Sequence, residues 1–142
     1  MRKDREGMYK SKIDKERKIL YVELEDVFNQ DDTLEAAKDF WVKMATLGKG
    51  SFIVCDISRL QSGPRSSRIM LQRIMKLIDS YEPQAIFRVV DAYSAAMVFE
   101  RAYKNAGTNY KVYRVDSKEI AEEMIRSINN IPLVFKQLPS VN

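Results

Sequence analysis

Three aspartates stand where a chain of this kind could keep its chemistry. Each closes an apolar run and is followed within three residues by a serine: Asp56 with Ser58 in VCDIS, Asp91 with Ser94 in VVDAYS, and Asp116 with Ser117 in RVDS. Carboxylates gathered in one place bind a hard cation and could support phosphoryl transfer. A helical pattern follows each turn. Strand, polar turn and helix, repeated, is the signature of βαβ units, whose strands run parallel and whose turns leave from one edge of one sheet. That edge is where open α/β sheets bind ligands. The three turns are therefore expected along one sheet edge, and their aspartates are either metal ligands or helix starts. No second acid stands beside any of them to complete a cage. An aspartate ahead of a helix accepts bonds from free backbone amides and suits the helix dipole, contributing about 0.5–2 kcal/mol. Capping is the reading favoured here, and a metal-dependent enzyme using clustered aspartates is the rival.

Only the turn after Asp56 carries further equipment. Ser62, Gly63, Arg65, Ser66 and Arg68 combine a close-approach glycine, two fixed positive charges and the free amides of a helix start, which suits a phosphate, a carboxylate or an acidic partner. Gly48, Lys49, Gly50 and Ser51 look briefly like a phosphate loop, but they lead into a strand and lack the long glycine spacing. Histidine is absent, which removes imidazole-based dyads and triads and the commonest transition-metal ligand. The net charge of +4 is spread among interleaved acids, so no concentrated basic stripe marks a nucleic-acid binder. The lone cysteine, Cys55, lies in an apolar run, where burial makes a thiol inert, and it implies a reducing, cytoplasmic setting. No apolar run reaches the roughly 18–20 residues of a membrane span.

The elements that must hold these turns are legible as a single domain over residues 8–128, after a frayed stretch at 1–7. Met8–Asp14 and Lys18–Leu24, joined by a short charged link, read as a β-hairpin. A helix follows with Asp31, Asp32 and Thr33 as cap candidates, Gly48 as its stop, and Leu34, Ala37, Phe40, Trp41, Met44, Ala45 and Leu47 on its buried stripe. Ser51–Ile57 is nearly all apolar, as a central strand covered on both faces should be. Pro64 opens a long amphipathic helix whose inner face is Met70, Leu71, Ile74, Leu77, Ile78 and Tyr81. Strands at Ala85–Val90 and Tyr110–Val115 alternate with helices at Ser94–Asn105 and Lys118–Ile128. The tail, 129–142, contains Pro132 and Pro139 and is expected to pack on the domain or on a neighbouring subunit.

The order β-β-α-β-α-β-α-β-α, with FRVVDAYSAAMVFERAYKNAG followed by YKVYRVDSKEIAEEMI, resembles the STAS-like (SpoIIAA-like) superfamily of sporulation anti-sigma-factor antagonists. The resemblance covers about residues 8–128. It implies an α/β single domain with a mixed, mostly parallel sheet, an N-terminal hairpin and four helices. It also implies a regulatory, protein-binding role in bacteria, without enzymatic activity or cofactor. In regulatory members a serine after the central strand is phosphorylated, and Ser58 and Ser62 are the matching candidates in DISRLQSGPRSS. The spacer is shorter than in those members, and Pro64 and Arg65 replace small apolar residues, so the phosphoswitch is not expected to work. The partner is expected to be another protein or a second copy of the chain in a homodimer. The alternative is a small apolar or lipid-like ligand held between helices and sheet, beside Met97, Phe99 and Tyr103.

Overall fold

The apolar run at the middle of the chain becomes the third strand of a five-stranded sheet. The structure is a computed structural model and describes residues 9–27, 30–61, 65–90, 103–104 and 107–129, with side chains described for most of these. In chain order the elements are β1 (Tyr9–Asp14), β2 (Ile19–Val27), α1 (Gln30–Leu47), β3 (Phe52–Gln61), α2 (Arg65–Ser80), β4 (Ala85–Val89), β5 (Val112–Val115) and α3 (Lys118–Asn129). The sheet order is β1-β2-β3-β4-β5. β1 pairs antiparallel with β2, and every later neighbour is parallel. The expected hairpin, central strand and parallel sheet are all present. The expected helix at Ser94–Asn105 lies outside the described residues except for Tyr103 and Lys104, which are helical. Three full helices, not four, are therefore described.

Strand alternation sends the apolar side chains of the sheet to two faces. Leu20, Val22, Leu24, Ile53, Cys55, Ile57 and Ile86 meet α1 and α2 on the first face. Ile19, Tyr21, Phe52, Val54, Phe87 and Val115 meet α3 on the second. β3 is buried on both faces, which is why its sequence shows no polar alternation. Phe87 is fully buried, stacks on Tyr113 with centroids 5.4 Å apart, and lies 6.3 Å from Phe52.

Four expectations about these elements need correction. α1 begins at Gln30, so Asp31, Asp32 and Thr33 lie in its first turn rather than ahead of it. Its buried stripe keeps the expected Phe40, Met44 and Leu47 and adds Ala36, whereas Trp41 is 61% exposed, Leu34 44%, and Ala45 is exposed too. Trp41 follows Phe40 by about 100° around the helix and falls beside the buried stripe. On α2 the expected Ile74 and Ile78 are buried, but Met75 joins them among the described side chains while Leu77 is only partly covered; the side chains of Met70 and Leu71 lie outside the described residues. Finally, β2 and β3 run on past Leu24 and Ile57 to Val27 and Gln61, because their polar ends pair with one another: Glu25 with Arg59, Asp26 with Leu60 and Val27 with Gln61.

Gly48 ends α1 as expected. Its N–H donates to the Met44 carbonyl at 2.8 Å and its φ is +74°, a left-handed conformation that glycine adopts without steric cost. Truncating the aromatic at the centre of the second face should leave a cavity that its neighbours cannot close. Phe87→Ala is expected to cost about 3–5 kcal/mol, read as a lower urea midpoint at unchanged slope.

Candidate functional site

At the ends of β2 and β3 the two strands fall out of register. Glu23 pairs with Asp56 but Glu25 pairs with Arg59, so β3 carries one extra residue in a bulge at Ile57–Ser58. Asp56 serves that bulge. One carboxylate oxygen accepts the Ser58 backbone N–H at 3.0 Å and the Ser58 hydroxyl at 2.6 Å, which satisfies an amide that the shifted ladder leaves over. Asp56 was expected at a turn leading a helix; it lies within a strand paired on both sides. Ser58, a phosphorylation candidate, likewise sits on the strand with its hydroxyl engaged. Around the bulge, Glu23, Glu25, Asp56, Ser58 and Arg59 line an open polar concavity of about 170 Å³. Arg59 reaches Glu25 at 3.9 Å. Sequence reasoning missed Glu23 and Glu25, because strand glutamates read as ordinary solvent-facing positions.

The third turn divides its work differently from expectation. The Ser117 hydroxyl accepts the Ile120 N–H at 3.2 Å and so caps α3, while Asp116 is exposed. Asp56 lies in β3 and Asp116 just past the end of β5, with β4 between those strands, which alone sets them roughly 10 Å apart. Among the described residues no group of acids, cysteine or histidine could hold a metal ion. Asp91, Ser94, Ser62 and Gly63 lie outside the described residues. Arg65, Ser66 and Arg68 fall in the first turn of α2, next to the end of β3.

Two polar networks tie the hairpin to the helices, and neither was anticipated. On the first face, Tyr9 and Ser11 of β1 both donate to the Asp39 carboxylate of α1, and Lys43 donates to Ser11 and pairs with Asp39 at 3.1 Å. Burial works to raise the Asp39 pKa, but the bonds from Ser11, Tyr9 and Lys43 together hold it below the usual carboxylate range. On the second face, Arg17 binds Asp14 at 2.8 Å, Glu122 at 2.9 Å and the Tyr21 hydroxyl at 2.9 Å. The Tyr21 hydroxyl donates to Glu122. Burial and then Glu122 push Tyr21 up to about 12. Against the effect of its own burial, bonds from Tyr21 and Arg17 hold Glu122 low.

Arg88 is the least legible residue of the interior. It lies in β4 and is 3% exposed, with its guanidinium 5.4 Å from the Tyr103 ring centre. It borders a small cavity of about 40 Å³ with Cys55, Tyr110 and apolar residues of α2. That volume admits a few waters at most, not an acyl chain. Of the three residues expected beside a lipid-like ligand, Tyr103 packs against Arg88 and Tyr110, and Met97 and Phe99 lie outside the described residues. Burial raises the Cys55 thiol to about 12, despite the opposing pull of Arg88.

No protein-family model matches the sequence, and no curated protein matches it. Solved structures do share its architecture. One is the anti-sigma factor antagonist SpoIIAA in its unphosphorylated form, with a TM-score of 0.56, 12% identity, and coverage of 87% of this chain and 99% of that one. Another is an uncharacterised DUF3478-family protein with a SpoIIAA-like fold from Shewanella loihica, with a TM-score of 0.63, 11% identity, and coverage of 82% and 91%. The chain thus has the SpoIIAA-like, or STAS-like, α/β fold. Among the described residues no helix is long and apolar enough to cross a membrane.

Two measurements check this electrostatic picture. A carboxyl group held below its unfolded value contributes stability that is complete above the ordinary carboxylate range, about pH 4, and is lost as pH falls through the folded value. Asp39→Asn and Glu122→Gln should therefore lower stability at neutral pH, and their deficit against wild type should shrink as unfolding is followed into acid. Cys55 should resist iodoacetamide at about pH 8 in the folded protein and react once urea unfolds it.

Proposed function

We propose that this chain is a non-enzymatic interaction domain of the STAS type, which docks a protein partner through the outer face of α1 together with the sheet edge where β3 ends and α2 begins. The observation that carries the reading is the outer face of α1. Trp41 and Val42 are 61% and 66% exposed on a helix whose other face is core, and Leu34 lies exposed one turn from its start. Exposed tryptophan beside aliphatic residues is the composition of a binding hot spot, where aromatic side chains supply most of the energy. Arg65 and Arg68, in the first turn of α2, add positive charge for an acidic group of the same partner. A second copy of the chain is the alternative occupant.

The fold supports a regulatory role by likeness to an anti-sigma factor antagonist. A working serine phosphoswitch is not part of this reading. The Ser58 hydroxyl donates to Asp56 at 2.6 Å, and a phosphoryl group there would lose that bond and face the same carboxylate across a short distance. The Asp56–Ser58 pair belongs to the bulge and holds the edge in shape for docking.

Affinity capture from the native cell, with wild type, Trp41→Ala and Arg65→Ala/Arg68→Ala as baits, tests the reading. At least one protein should be enriched on wild type and depleted by about tenfold or more on both variants, since a hot-spot truncation typically costs 2 kcal/mol or so. Identical capture by all three folded baits would contradict it.

A further inference from the structure

α3 packs on β3, β4 and β5 and reaches Ile19 and Tyr21 of β2, but among the described residues no helix packs over the second face of β1, where Lys10 and Lys12 are exposed. Its polar residues Lys118 and Glu122 reach across to Tyr21, Glu23 and Arg17 of the hairpin. This half-face, over β1 and its border with β2, is framed by two open concavities, of about 420 and 500 Å³, which share Lys12, Tyr21 and Lys118. Strand alternation brings Lys10 and Lys12 to this side, opposite Glu23 and Tyr21. The Tyr21 ring forms the floor, with the Lys12 ammonium 5.3 Å and the Lys118 ammonium 5.6 Å from its centre.

The charges here do not cancel. Arg17 is engaged by Asp14 and Glu122, and Lys118 lies 3.9 Å from Glu23. Those pairs use every acid that lines the two concavities. Lys10, Lys12 and Lys15 line them too, and have no ion-pair partner among the described residues. Lys10 and Lys12 are exposed and stand two residues apart on one strand, a spacing of roughly 7 Å. Carboxylates at alternate positions of an extended peptide repeat at the same distance, because the peptide has the same rise per residue.

We propose that this half-face is a second docking surface, distinct from the one at Trp41 on α1 and Arg65 at the start of α2, and that it binds an extended acidic segment of a partner protein with acids at every second position. Lys10 and Lys12 pair with successive carboxylates, and Lys15 and Lys118 extend the charge at either side. Because the groove is open to solvent, binding is weak and sensitive to salt.

The test is a titration of the full chain with a fluorescent peptide of alternating glutamate and threonine, followed by anisotropy at low ionic strength. Lys10→Gln/Lys12→Gln should weaken binding about tenfold, as expected for the loss of two exposed ion pairs. Lys38→Gln/Lys76→Gln, which removes the same charge from exposed positions on α1 and α2, should change it less than about twofold. Arg65→Ala/Arg68→Ala should also leave it intact, so this surface stands or falls apart from the edge. Matched thermal melts establish that each variant is folded. Equal weakening by the two lysine pairs would overturn the proposal, since net charge alone would then account for it. So would no detectable peptide binding by wild type, or tighter binding of a single-stranded oligonucleotide of equal charge.

Discussion

Everything in this molecule leans on β3, the strand buried on both faces. Phe52 and Val54 point to the layer of α3, and Ile53, Cys55 and Ile57 to the layer of α1 and α2. Each large apolar side chain buried there contributes about 1.5–3 kcal/mol. β3 is also the partner of both β2 and β4 in parallel register. Among the described residues the two helical layers do not meet except through it and its neighbours, so the position of every surface described above is set from this one strand outward.

Residues that could do chemistry are spent on holding that arrangement together. Asp56 closes the bulge that lets β3 outlast its regular ladder. Asp39 gathers Tyr9, Ser11 and Lys43 to bind the edge hairpin to α1, and Glu122 gathers Arg17 and Tyr21 to bind the same hairpin to α3. Hydrogen bonds between charged and neutral partners are stronger than neutral ones and fix geometry as well. An antiparallel hairpin appended to the edge of a parallel sheet has only one neighbouring strand, and these two networks supply the anchorage that a second neighbour would give.

How much of this the sequence displays depends on whether a residue's neighbours in space are also its neighbours in the chain. The apolar run of β3, the hairpin around its charged turn and the glycine stop at Gly48 are local patterns, and each is where the sequence puts it. The polar ends of β2 and β3 are not: glutamate, aspartate, arginine and glutamine read as turn residues until the two strands pair them. Trp41 sits one position off a stripe that its hydrophobicity suggested it should join. Arg88 hides in a run that reads as wholly apolar, and an arginine on the face that alternation sends to α1 and α2 is the signal that could have found it. The half-face at Lys10 and Lys12 is visible only once α3 is seen to stop short of β1.

The docking role proposed for this fold needs a rigid centre and edges free to engage partners. Native-state hydrogen exchange measures that division directly, because amides that open only with global unfolding exchange last. The slowest amides should lie in β3 from Phe52 to Cys55 and in β4 facing it, with the Ser58 amide retarded by its bond to Asp56 and the β1 amides exchanging first among the strands. Protection spread evenly over all five strands, or greatest in the hairpin, would contradict a fold organised around β3.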